Sequence, residues 1–343
     1  MTSDEKSQTL IATFPLCYAD DLLIVSSNRE ELVKSIRVLE NWCKGNYIAV
    51  NTKKSAILTV NVPAERQIIK IHNTPIPIRE SIKYLGFTLS NKGTWNEHIQ
   101  QKINIPYGVF NQHRKILTSQ HLPYNIKLRI ADSKIFSHLR YGEEIFVLKS
   151  ELIKKLQTCE NNIIKHILNI PRATSSTGLM YILGRMATEN RQKIQRLNNF
   201  CRLQRSEKNI FNKLFHNDKL NMLTFLPGRT YADVNAFSFK QKIRSKKSFI
   251  DSDIFTNSRK KKQTYKNVIK RYVRLENHEQ LSRILTINNK DIIDSNSSYV
   301  DTDLLNNYGR QYDSLIHWRL GGTYQNHISY QSAYEFENTC PLC

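Results

Sequence analysis

The stretch Phe14–Ser27, FPLCYADDLLIVSS, sets Asp20 and Asp21 side by side between two apolar runs. Two ionised carboxylates repel, and burying them unpaired is costly. The segment must therefore bring the pair to a surface or neutralise it. Two short strands joined by a tight turn do the first, because at such a turn both side chains can reach one side. A divalent cation does the second: Mg²⁺ takes oxygen ligands, usually one or two carboxylates, with water and substrate phosphates completing the shell. Two such ions close together stabilise both the attacking and the leaving oxygen of a phosphoryl transfer. On these residues alone a plain hairpin turn stays open, since Asp is a common turn residue.

Beyond the pair, Ser27 and Glu30 have capping-box spacing. Leu32, Ile36, Leu39 and Cys43 then recur at helical spacing as far as Gly45. AVNTKKSAILTV and IIKIHNTPIPI read as strands joined by a Pro-containing linker, and SIKYLGFTLSNKGTW reads as a hairpin-like unit with a turn around Asn91–Gly93. After Thr94, which forms a second capping box with Glu97, helical patterns run near 96–117, 124–140, 150–169 and 188–206. Pro106, Pro123 and Pro171 divide them. The expectation is an α+β fold, with a small mixed layer followed by a mainly helical region.

The 343 residues carry 51 Lys and Arg against 30 Asp and Glu, a net charge of +21. A surplus of this size points to a polyanionic partner, most often nucleic acid. From 240 to 274 the cations crowd together, with Phe239, Phe249, Tyr265 and Tyr272 interleaved and only Asp251 and Asp253 between the two basic runs. Template or target-DNA contact is expected there; a solvated charged face is the alternative. Arg259, Lys260, Lys261 and Lys262 also match the weak pattern of a nuclear localisation signal. No apolar run has the length of a membrane span, and MTSDEK is too polar for a signal peptide. An intracellular protein without membrane association is expected, nuclear if eukaryotic. Six scattered Cys fit a reducing compartment, and Cys17, Cys43, Cys159 and Cys201 read as core thiols.

Tyr18-Ala19-Asp20-Asp21, flanked by hydrophobic strands, resembles the catalytic hairpin of reverse transcriptases. Asn51 to Ser55, NTKKS, resembles the next palm motif, and YLGFTLSNKGTWNEHI is similar to the primer grip and the start of the thumb in non-LTR (LINE-type) retrotransposon polymerases. YGEEIF at 141–146 and HWRLG at 317–321 also resemble LINE-type sequence. Cys340 and Cys343 look like the first half of a Cys-Cys-His-Cys knuckle, but a closed zinc site needs four ligands, and His317 and His327 would complete a set only in unusual order. No zinc is expected.

The resemblance implies a partial palm over 1–90, a helical thumb over 91–170, a helical and basic linker over 171–335 and a partial knuckle over 336–343. It implies that Asp20 and Asp21 hold Mg²⁺, with Asp20 the bridging ligand. Tyr18 and Ala19 would lie beneath the primer end. Lys54, or Lys53 by a one-residue slip, would neutralise the departing pyrophosphate; a solvated lysine is the alternative. Tyr84, Leu85 and Gly86 would approach the primer. The implied partners are an RNA template and a DNA primer or target.

In this family the remaining metal-binding Asp lies on a strand upstream of the hairpin. Asp4 and Glu5 sit in a polar stretch without strand pattern and do not fit that place. The expectation is therefore weak Mg²⁺ binding and no polymerisation by the chain alone, with three outcomes open. A separate segment supplies the missing carboxylate in trans, the chain is a catalytically dead nucleic-acid-binding remnant, or it is a pseudogene product with no role.

Overall fold

In the computed structural model the described residues are 15–60 and 68–204, position 233, and positions 267, 269, 270, 273, 274, 276, 277 and 280. The chain divides into two compact units, Met1–Gln101 and Lys102–Cys343. The architecture is α+β with a helical majority.

The first unit opens with β1 (Leu16–Tyr18) and β2 (Asp21–Leu23), antiparallel, with Leu16 opposite Leu23 and Tyr18 opposite Asp21. Helix α1 (Arg29–Gly45) follows. Its cap lies one residue beyond the expected Ser27: the Asn28 side chain accepts from Glu31 N–H at 2.9 Å, and the Glu31 carboxylate accepts from Ser27 N–H and Oγ. The box is read correctly in kind but is shifted, because Asn28 caps as well as Ser does. Gly45 is the last helical residue, and Tyr47 takes the left-handed φ of 55°.

The expected strand over AVNTKKSAILTV does not form. Lys54 N–H and Ser55 N–H both donate to Asn51 O, and that turn diverts the backbone from pairing. Only Ile57 makes a bridge, parallel, to Ile78. The next segment does pair, as a minimal hairpin of β3 (Lys70–Ile71) and β4 (Thr74–Pro75). Its turn is tied to α1 by His72 N–H donating to Glu40 Oε1 at 2.6 Å. Ile36, Ile69, Ile71 and Ile76 form the buried core here, with Leu32, Val50 and Ile57 packed against it.

β5 (Ser81–Tyr84) and β6 (Phe87–Ser90) then pair antiparallel. Their turn is Leu85–Gly86, not Asn91–Gly93; the latter forms a separate turn leading into α2 (Asn96–Leu117). Helix α2 starts after Trp95, and Glu97 accepts from Ser81 Oγ and Gln101 Nε2. Pro106 does not divide it. It lies inside α2, where Lys102, Pro106, Phe110 and Leu117 line a buried stripe. A proline removes one helical hydrogen bond, but the burial of this stripe carries the helix past it.

The second unit continues with α3 (Tyr124–Lys134), α4 (Phe136–Arg140), α5 (Ser150–Ile167), α6 (Ser176–Ile182) and α7 (Thr188–Gln204). Helix α6 has no counterpart in the sequence pattern, because seven residues are too few to show a period. Ser175 caps it through Gly178 N–H. Helix α5 buries Leu152, Leu156, Cys159, Ile163, Ile164 and Ile167 on one face. The described positions between 267 and 280 are helical; Ile269 and Val273 are fully buried, and Asn277 Oδ1 accepts from Ala187 N–H at 2.9 Å and Asn190 Nδ2 at 3.0 Å. Cys43 and Cys159 are core thiols as expected, but Cys17 is exposed on β1. A two-stranded sheet of three-residue strands has too little surface to bury it. The side chain of Cys201 lies outside the described residues.

Candidate active site

A two-residue turn closes the first hairpin. It leaves Asp20 in the turn and Asp21 as the first residue of β2, opposite Tyr18. Both aspartates are exposed, and Tyr18 is 67% exposed. Ala19 takes φ 51°, a conformation that costs an L-residue roughly 1–2 kcal/mol. Strain of this kind persists where the surrounding structure imposes it, often at functional positions. The same signature recurs at the β5–β6 turn, where Leu85 has φ 48° and Gly86 φ 81°. Gly86 is the residue type this turn requires; Leu85 is not.

The two hairpins meet. Tyr84 Oη donates to Leu16 O at 3.2 Å, across 68 positions of sequence. Behind Tyr84 the support deepens. Thr88 is buried, its N–H donates to His98 Nδ1 at 3.2 Å, and its Oγ1 donates to Gln101 Oε1 at 2.9 Å. The first turns of α2 thus hold β5–β6, and Tyr84 links that assembly to the strand before the aspartates.

Lys54 is exposed on the Asn51 turn, its N–H also donating to Asn51 Oδ1 at 3.2 Å. The Asn-x-x-Lys-Ser spacing therefore has a local cause: Asn51 caps Lys54 through its side chain, and Ser55 Oγ donates to Asn51 O. Among the described residues no ion pair joins Lys54 to Asp20 or Asp21.

As a donor set, two adjacent exposed carboxylates suit a hard divalent cation such as Mg²⁺, which accepts one or two carboxylates with water and phosphate. Among the described residues no group of three or more His, Cys, Asp or Glu is placed to hold a metal. Asp4, Glu5, Arg259 to Lys262, His317, His327, Cys340 and Cys343 lie outside the described residues, as do Phe239, Phe249, Tyr265 and Tyr272.

The second unit holds a buried ionic cage that sequence reasoning missed. Glu160 Oε1 accepts from Arg140 Nη2 at 3.0 Å and Arg185 Nη2 at 2.9 Å, and Arg191 Nη2 stands 3.0 Å from Oε2 as an ion pair off the hydrogen-bond direction. Asp132 Oδ1 bridges the same Arg140 and Arg185, at 2.9 and 2.7 Å. Arg191 Nε also donates to both oxygens of Glu143. Burial pushes the Glu160 carboxyl up, but Arg191, Arg185 and Arg140 together outweigh it and hold the group at about 2. At Glu143 burial wins over Arg191, and the carboxyl is raised. YGEEIF is thus a structural anchor: Glu143 enters the cage, and Phe146 lies under the Lys102 ammonium, which donates to Tyr141 O. Burial brings Lys102 down to about 8. The sequence carries one signal of the cage, since Glu160 and Asn161 interrupt the apolar stripe of α5.

No curated protein and no solved structure matches the chain. No helix among the described residues is long and apolar enough to cross a membrane. The segment that carries both hairpins, residues 3–89, matches the family model described as reverse transcriptase (RNA-dependent DNA polymerase).

Proposed function

We propose that the chain supplies palm and thumb elements of an RNA-directed DNA polymerase of the non-LTR (LINE-type) retrotransposon class. The observation that carries this reading is the Tyr84–Leu16 hydrogen bond, which joins the Tyr-Leu-Gly hairpin to the Tyr-Ala-Asp-Asp hairpin within one compact unit. Asp20 and Asp21 are the residues that would hold Mg²⁺. Such an ion, when bound, lowers the pKa of the attacking hydroxyl and neutralises charge on the phosphate. Tyr18 and Ala19 form the exposed floor beneath a primer end. Leu85 and Gly86 offer a turn whose second residue lacks a side chain, so a primer backbone can approach closely. Lys54 is exposed and available to a departing pyrophosphate once the substrate closes the site.

Among the described residues the pair has no third carboxylate, so synthesis is proposed to need one from another segment. Without it the chain binds nucleic acid and does not copy it. The charge of +21 favours this second reading as a standing activity of the chain. Primer extension on an RNA template with Mg²⁺ separates the two. Template-dependent synthesis that Asp20→Ala abolishes establishes the polymerase. Salt-sensitive RNA binding without synthesis leaves the binding remnant.

A further inference from the structure

We infer that Tyr84 is a positioning residue for the Asp20–Asp21 pair, its hydroxyl fixing β1, the strand that leads into the turn and the paired strand that carry them; this rests on the proposed metal-holding role of the two aspartates. β1 and β2 have three residues each, and Leu16, Tyr18 and Leu22 are all exposed. A lone two-stranded hairpin is marginal in water. Its own packing therefore cannot hold two carboxylates to the tolerance an octahedral ion requires.

The restraint comes from outside the hairpin. Tyr84 closes β5 immediately before the Leu85–Gly86 turn, so the backbone that aims its ring is set by two successive left-handed residues. That hairpin is anchored to α2 through buried Thr88, with bonds to His98 and Gln101, and through Ser81 on Glu97. Ile99, in the same turn of α2, is fully buried. A continuous path thus runs from a buried helix start, through β5–β6, to the Tyr84 hydroxyl, and from there to Leu16, two residues before Tyr18. The hydroxyl is engaged with protein backbone. A primer contact by Tyr84 would have to use its ring.

Mn²⁺ binding to the full chain tests this, read as loss of the free-ion electron paramagnetic resonance signal, with Mg²⁺ as competitor. Tyr84→Phe removes only the hydroxyl. A hydrogen bond of ordinary net worth predicts Mn²⁺ binding weaker by about three- to tenfold. Mg²⁺ demands near-ideal geometry, so Mg²⁺ competition should weaken by a larger factor than Mn²⁺ binding. A variant that merely lowered the folded fraction would weaken both ions equally, and that result overturns the inference. Unchanged binding of both ions overturns it too. Asp20→Asn and Asp21→Asn are the separate control. If they bind Mn²⁺ as the unaltered chain does, the metal-holding reading itself fails and the inference falls with it. If they abolish binding while Tyr84→Phe changes nothing, only the inference falls.

Discussion

Glu160 shows how a single carboxylate organises a whole unit. It is nearly inaccessible, yet three guanidinium groups converge on it. Breaking such a buried set by removing one partner is expensive, since the remaining charges stay buried and uncompensated. Glu160→Gln is expected to cost about 3–5 kcal/mol, measured by urea unfolding of the chain followed by helix circular dichroism. The pH dependence has a definite sign. Glu160 falls from the ordinary 4.5 to about 2 in the fold, so its contribution is complete above 4.5 and disappears as pH drops towards 2. The shift corresponds to about 3 kcal/mol. Glu143 is raised, so it opposes folding when ionised and recovers that cost as pH falls towards 4.5. The two windows abut, and Glu160→Gln should remove the lower limb and shrink the upper one, because the Glu160 charge also raises Glu143. Lys102 moves the other way. Lowered from 10.5 to about 8, it opposes folding below 8, and stability should rise between pH 8 and 10.5. Lys102→Met should flatten that rise in the same unfolding assay; an unchanged slope would show that another group causes it.

At the scale of elements, what the sequence makes readable follows period and composition. The limits of α2 at Asn96 and Leu117 coincide with the apolar spacing, and the YADD hairpin follows from two apolar runs around a polar pair. The departures share a cause, the competition of local hydrogen bonds with pattern. Asn51 turns an expected strand into a cap, and Asn28 takes the cap expected at Ser27. The β5–β6 turn escapes a reading by composition because Leu85 is a poor turn residue, whereas Asn91–Gly93 has ideal composition. Contacts far apart in sequence, Tyr84 with Leu16 and Asn277 with Ala187, leave no local trace. Leu85 then becomes a test of stored strain. With φ 48° it occupies a position where Asn is tolerated. Leu85→Asn should stabilise the hairpin by about 0.5–1 kcal/mol, and Gly86→Ala, at φ 81°, should destabilise it by about 1–2 kcal/mol. Amide exchange of Ile82 and Leu89, paired across the two strands, measures both. If Leu85→Asn destabilises, packing of the leucine side chain outweighs its backbone cost. Asn277 is the corresponding test in the second unit, where it also donates to Arg185 O at 3.3 Å. Asn277→Ala leaves Ala187 N–H and Arg185 O without that partner and should cost about 1–3 kcal/mol, seen as faster exchange at Ala187.

For the whole molecule, charge decides more than shape. With a net +21, counterion release is the expected driving force of the proposed nucleic-acid binding. Each phosphate neutralised on a single strand contributes about 0.7 to the slope of log affinity against log salt. If the chain engages four or more phosphates, its affinity for single-stranded RNA falls with a slope of about −3 or steeper, by that same increment. The aspartate hairpin and the basic tract separate cleanly on this axis. Asp20→Ala removes an anion that pairs with no phosphate, so it should leave the slope unchanged and abolish any metal-dependent step. Reversing Arg259, Lys260, Lys261 and Lys262 to Glu should flatten the slope by up to about 3 if all four touch phosphate, by the same increment per contact. A slope near zero for the unaltered chain would make the surplus charge a solvated face, and nucleic-acid binding would lose its electrostatic basis. A slope indifferent to the four reversals would move the binding surface away from 259–262 to the other cations of the second unit. Fluorescence anisotropy of a labelled RNA across a salt series reads all of these outcomes, without requiring that the chain polymerise.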